Sequence, residues 1–235
     1  MTTLGGSLIF FFNKPSQTIS LTTVGLACGI MLSASFWSLL LPSLEQAALS
    51  YGQFFVIPVA LGLVLGGLFM LILGFVCKKL FKNEGIPQKP FKFFAAMTIH
   101  NIPEGLSVGI ALGAAAKSGQ FATVFLFSLG IALQNFPEGL ATALPIQNYL
   151  HNRTKSFFFA FLSGVVEPIF ALVGYFLAKT ATFLLPWLLS LSAGAMIFVI
   201  IEELMPELYE NKRGSLGPIM FLLGFLIMMI LDICL

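Results

Sequence analysis

Long apolar runs alternate with short polar breaks along this chain. The clearest run, Phe54 to Cys77, has 24 residues and no charge. At about 1.5 Å per residue, a helix of that length crosses a ~30 Å hydrocarbon core. The same pattern predicts seven complete spans, at roughly 19–43, 54–77, 93–116, 121–147, 156–178, 182–206 and 216–234. A shorter stretch, "TLGGSLIFFF" from Thr3 to Phe12, stands before them. It reaches about half of the core. It reads as the tail of a first helix, either shortened in this protein or starting upstream. Counting it gives eight spans. The short alternating segments of a β-barrel do not occur. The predicted fold class is all-α, a polytopic membrane helix bundle of eight transmembrane helices with a short first one. The whole chain, 1–235, is read as one transmembrane domain.

Composition agrees with this pattern. Hydrophobic residues make up 58% and charged residues 9%, where a soluble domain carries roughly 25% charged residues. The net charge is +2, and the basic residues are dispersed, so no nucleic-acid footprint exists. Cys28, Cys77 and Cys234 lie in or beside apolar segments and read as packing residues. No cleavable signal peptide stands out, because no basic residue precedes the first apolar run.

Charge position then predicts topology. Ten of the 12 lysines and arginines fall in alternate loops: Lys14; Lys78, Lys79, Lys82, Lys89 and Lys92; Arg153 and Lys155; Lys212 and Arg213. The other face holds only Lys117 and Lys179. Positive residues favour the cytoplasm, so both termini are expected outside a multi-pass protein of the cell (inner) membrane. "KKLFKNEGIPQKPFK", about 78–92, is expected to be a solvated cytoplasmic loop without a metal-sensing histidine. His151 is expected to be an ordinary loop histidine. Gly25-x-x-x-Gly29 and Gly62-x-x-x-Gly66 suit close helix contact.

The acids change the picture. Glu104, Glu138 and Glu167 fall near the middles of spans four, five and six, and no lysine or arginine lies inside any span. A charge at mid-membrane costs about 2.5–3.5 kcal/mol on insertion scales. Three would cost about 8–10 kcal/mol, comparable with the net stability of a domain. The acids must therefore be protonated, face water or hold a cation. Interhelical hydrogen-bond glue is the plainer alternative. A cation pathway accounts for all three together.

The segment "HNIPEGLSVG" (His100 to Gly109) has a counterpart in "QNFPEGLATA" (Gln134 to Ala143). The two adjacent spans are antiparallel, so these motifs approach mid-membrane from opposite sides, as in inverted-repeat transporters. At about 100° per residue, Glu104 projects between His100 and Asn101, one turn along. Glu138 stands likewise between Gln134 and Asn135. Each glutamate is thus placed to face two neighbouring sites. One would use His100, Glu104, Gln134 and Glu138. The other would use Asn101, Asn135, both glutamates and Glu167. Pro103 and Pro137 lack the amide that would bond the Ile99 and Leu133 carbonyls. Imidazole, carboxylate and amide oxygen together suit a borderline divalent ion. Zn²⁺ fits, and Fe²⁺, Mn²⁺, Co²⁺, Ni²⁺ and Cd²⁺ remain open.

These residues resemble the ZIP (Zrt-, Irt-like) family of divalent-metal transporters, particularly its GufA-like bacterial branch. "HNIPEG", "QNFPEG" and "GVVEP" around Glu167 carry the resemblance. "MLSASFWSLLLP" and "SAGAMIFVIIEELMPE" support the branch. The resemblance implies eight helices, both termini outside, metal movement into the cytoplasm and a two-metal site at mid-membrane. By motif position it implies His100, Glu104, Gln134 and Glu138 in the first site. The second would hold Asn101, Glu104, Asn135, Glu138 and Glu167. Many relatives have histidine at the position of Gln134 and an acid at that of Asn135.

The expected function is divalent-metal transport, most readily zinc uptake, by alternating access. Release is expected past Glu203 and Glu207, although these also read as simple helix-end acids. The partners are the metal substrate and the lipid bilayer, with no nucleic acid; a homodimer is one open assembly. A selective metal channel with the same site is the alternative. An intramembrane metalloenzyme is a weaker one, because His100 and His151 are the only histidines and H-E-x-x-H is absent.

Overall fold

The computed structural model describes residues 1–11, 17–80, 88–119, 121–180, 182–210 and 214–234. They form eight helices. α1 (Thr2–Phe11) ends in a 3-10 turn. α2 occupies residues 17–51 and contains a π turn at Ser35–Leu40. α3 is Val56–Leu80, α4 Gln88–Ser118, α5 Phe121–Leu150 and α6 Arg153–Thr180. α7 occupies residues 185–210 with a second π turn at Ile200–Leu204, and α8 is Leu216–Cys234. No strand occurs among the described residues.

Five of the described spans are long and apolar enough to cross a membrane: Thr18–Phe54, Val56–Val76, Arg153–Ala178, Leu185–Glu202 and Leu216–Ile233. α4 and α5, at 31 and 30 residues, are as long. Their polar clusters and prolines dilute the apolar signal, and length with composition does not select them. The chain is a multi-pass, all-α membrane protein.

Two expected boundaries shift. The connector expected at 78–92 is shorter, because α3 runs through Leu80 and α4 starts at Gln88; residues 81–87 lie outside the described ones. Lysine is a good helix former. Pro90 falls in the first turn of α4, where a missing amide costs nothing. The second span, expected to end near 43, continues to Tyr51 with Glu45 inside it. Its π turn precedes Pro42 by two residues, and the π turn of α7 precedes Pro206 by the same interval. In each case the proline removes the donor for a carbonyl four positions earlier, Ser38 or Glu202. The widened turn accommodates the ring without ending the helix.

Turn chemistry sets the antiparallel order. Gly119 (φ +76°) closes α4, with its amide bonded to the Ala115 carbonyl at 2.8 Å. His151 (φ +50°) closes α5 in the same conformation, bonded to Gln147 O at 2.9 Å. It is the exposed histidine expected. Asn152 then caps α6, its Oδ1 accepting from the Lys155 amide at 3.0 Å.

Five helix pairs pack most closely: α4 with α6, α2 with α8, α3 with α7, α2 with α7 and α1 with α5. Exchanging α1, α2, α3 and α4 for α6, α7, α8 and α5 maps this set of pairs onto itself. The same exchange maps one π turn onto the other. The fold is thus an inverted repeat. In lipid, helices associate through close packing of small residues. A Cβ on Gly29 would lie 1.9 Å from the Phe221 carbonyl oxygen, and one on Gly66 would lie 2.0 Å from that of Leu191. Both glycine motifs expected at helix contacts stand at such contacts. Apolar side chains of α2, α3, α4 and α7, including Met31, Met70, Met97 and Met196, form the larger core. Ile9, Leu144 and Ala160 join α1, α5 and α6 in a smaller one. Large apolar residues such as Ile72, Leu172 and Leu222 are exposed on α3, α6 and α8, as lipid-facing helices require.

One polar clamp ties α2 to α7. Tyr51 Oη donates to the Phe183 carbonyl at 2.8 Å and accepts from Trp187 Nε1 at 2.9 Å. Such amphipathic aromatic residues suit the membrane interface. Tyr51→Phe removes both bonds and is expected to lower stability by about 1–2 kcal/mol. Thermal unfolding in detergent measures this; an unchanged midpoint would show that the clamp is idle.

Candidate functional site

α4 and α5 run unbroken through Pro103 and Pro137, so the two motifs stay helical. The glycine after each motif glutamate sets its neighbour. A Cβ on Gly105 would lie 2.3 Å from the Glu167 carbonyl oxygen, and one on Gly139 would lie 1.9 Å from that of Thr2. Backbone contact at these points places α6 beside Glu104 and α1 beside Glu138. Under the repeat exchange, Glu167 and Thr2 occupy equivalent places.

The carboxylates and amides converge there. Glu104 is 1% exposed and Glu138 0%, so neither meets bulk solvent. Gln134 Nε2 donates to Glu104 Oε1, joining α5 to α4. Asn135 Nδ2 donates to Glu167 Oε2 at 2.7 Å, joining α5 to α6. The hydroxyl of Thr2 donates to the other oxygen, Glu167 Oε1, at 2.6 Å, joining α1 to the same carboxylate. Asn101 Nδ2 donates to the Ser163 carbonyl at 2.9 Å. Hydrogen bonds to an ionised carboxylate are short and roughly twice as strong as neutral ones. They hold these side chains in fixed orientations.

The amide oxygens behave differently. Asn101 Oδ1, Gln134 Oε1 and Asn135 Oδ1 are all buried and accept no hydrogen bond from the described residues. An unsatisfied buried acceptor costs about 1–3 kcal/mol, and native interiors hold few of them. All three lie on α4 and α5, within four positions of Glu104 or Glu138. Among the described residues, no three of His, Cys, Asp and Glu converge closely enough to hold an ion by themselves.

The structure joins Glu104 with Gln134 and Asn135 with Glu167. Asn101 and Glu138 are buried in the same helices. The side chains of His100, Glu203 and Glu207 lie outside the described residues. Glu202, beside Glu203, is exposed on the α7 π turn. Asp232, near the end of α8, accepts from Ser38 Oγ at 2.7 Å. Sequence reasoning missed Thr2 and Ser163. Neither belongs to a motif, and Thr2 is 165 positions from the carboxylate it meets.

Comparison with known proteins fits this architecture. The family model described as ZIP Zinc transporter matches residues 89–232. Zinc transporter GufA of Myxococcus xanthus is 31% identical, over 100% of this chain and 94% of that protein. Zinc transporter ZIPB of Bordetella bronchiseptica is 32% identical, over 98% and 76% respectively. Human Zinc transporter ZIP11 is 29% identical, over 99% and 93%. These are transporters rather than enzymes. The match reaches from α4 to α8, and full-length similarity carries it through the remaining helices, so this chain belongs to the ZIP zinc transporter family and to its GufA-like branch.

Proposed function

We propose that this protein moves divalent metal ions, zinc foremost, across the cell membrane into the cytoplasm. The observation that carries the reading is the buried set of three amide oxygens without hydrogen-bond donors, standing among Glu104, Glu138 and Glu167. The names of the relatives support zinc as the cargo. In this reading His100, Glu104, Gln134 and Glu138 form one ion position. Asn101, Asn135, Glu104, Glu138 and Glu167 form its neighbour.

The chain's own groups do the work of dehydration. Asn135 and Asn101 spend their nitrogens on protein acceptors and keep their oxygens open. An arriving ion gains the Asn101 oxygen without breaking that residue's hydrogen bond. Glu104 and Glu138 stand on antiparallel helices, one from each repeat, and both border each ion position. That arrangement suits exposure to the two membrane faces in turn. Both termini stand outside, and release runs past Glu203 and Glu207.

The test is uptake of radiolabelled zinc by proteoliposomes holding the purified full chain, with Cd²⁺, Mn²⁺ and Fe²⁺ as competitors. The expected result is saturable uptake that exceeds that of empty liposomes and is reduced by competing borderline ions. Uptake equal to that of empty liposomes rejects the reading. Uptake that rises linearly with zinc favours a channel over a carrier.

A further inference from the structure

We propose that Thr2 is a positioning residue that restricts Glu167 to one metal-facing oxygen and so biases the site toward small ions. The inference rests on the reading that Glu167 ligates the transported ion.

Thr2 is 1% exposed and wedged between two helices. Its carbonyl meets Gly139 of α5, and its Cβ lies 3.0 Å from where a Cβ on Gly164 of α6 would stand. The backbone contact fixes its depth, and the packing fixes its rotamer. Its hydroxyl donates to Glu167 Oε1 at 2.6 Å. The second carboxylate oxygen, Oε2, receives Asn135 Nδ2 at 2.7 Å.

These two donors are not equivalent toward an ion. Asn135 also offers a buried oxygen that accepts nothing from the described residues. Its amide can yield Oε2 and coordinate at the same time. A threonine hydroxyl pinned by packing has no such second role, so Oε1 keeps its donor and is the poorer metal ligand of the two. Glu167 then presents Oε2 as its better oxygen. Zn²⁺ favours four close ligands and accepts a one-oxygen carboxylate. Larger ions take more oxygens, and carboxylates often serve them with both. A held Oε1 therefore disfavours them.

Equilibrium binding of Zn²⁺ and Cd²⁺ to the purified full chain tests this, with Thr2→Val, Thr2→Ser and Glu167→Gln beside the unaltered protein. Thr2→Val keeps the shape and deletes the donor, and Thr2→Ser keeps the donor. Thr2→Val is expected to shift the Zn²⁺/Cd²⁺ affinity ratio toward cadmium by about tenfold, the usual effect of one hydrogen bond to a charged group. Thr2→Ser should stay within about twofold of the unaltered chain. An unshifted ratio in Thr2→Val overturns the proposal. So does a Thr2→Ser shift as large as that of Thr2→Val, which would implicate packing rather than the hydroxyl. If the unaltered chain binds neither ion, or Glu167→Gln binds as it does, the metal-site reading falls first and this inference with it. Binding by the unaltered chain that Glu167→Gln weakens, with Thr2→Val unchanged, removes the role of Thr2 alone.

Discussion

Glu138→Gln is expected to abolish zinc uptake, by about a hundredfold or more, while leaving the protein at least as stable as before. Loss of a supporting group near a metal costs about 10–100-fold, and a ligand carboxylate should matter at least as much. Glu138 is 0% exposed in the middle of α5, where an ionised side chain carries an insertion cost of about 2.5–3.5 kcal/mol. Neutralising it relieves that cost. A functional acid therefore trades stability for activity, whereas interhelical glue would lose stability when removed. Glu104→Ala should lose uptake equally but gain less stability, because it accepts from Gln134 and its loss strands that amide. Uptake with detergent unfolding on the same preparations separates these cases. Near-normal uptake by both variants would end the assignment of these glutamates to the ion path. Lost uptake with lowered stability in Glu138→Gln would make that acid structural.

Gly66→Ala and Gly67→Ala should differ sharply despite being neighbours. A Cβ on Gly66 would stand 2.0 Å from the Leu191 carbonyl oxygen and 2.8 Å from the Ala195 amide nitrogen. Both are backbone atoms of α7 and cannot swing aside, so α3 and α7 must separate. That separation is expected to cost about 3 kcal/mol or more, the upper range of overpacking. A Cβ on Gly67 would meet only the Phe198 ring, at 3.8 Å, an ordinary contact. Gly67→Ala should leave stability within about 1 kcal/mol, helped by the better helix propensity of alanine. Thermal unfolding in detergent, or the yield of folded protein, distinguishes the two. Equal losses would mean that α3 and α7 do not meet as described.

Much of the molecule was legible beforehand because membrane constraints act on each helix separately. Apolar run lengths marked the spans, and the doubled N-x-P-E-G pattern marked α4 and α5 as the site helices. Mid-span carboxylates without basic partners marked cation chemistry. The one-turn interval between Gln134 and Glu138 placed both on one face, and that face meets Glu104. Boundaries were less legible. Pro42 suggested an end to the second span, yet α2 continues, because a π turn absorbs a proline that a regular helix would not. The lysine-rich stretch after α3 read as a loop, yet residues at both of its ends are helical.

Run length, residue spacing and the placing of charge thus determine the helix number, the membrane setting and the polar motifs of the bundle interior. These follow from what one helix requires of its own side chains. The pairing of α4 with α6 and α1 with α5, and the place of Thr2 beside Glu167, belong to the tertiary structure alone. The two helix pairings are made by backbone atoms against glycines on remote segments. A glycine in the sequence shows that something approaches closely; only the packed helices decide what.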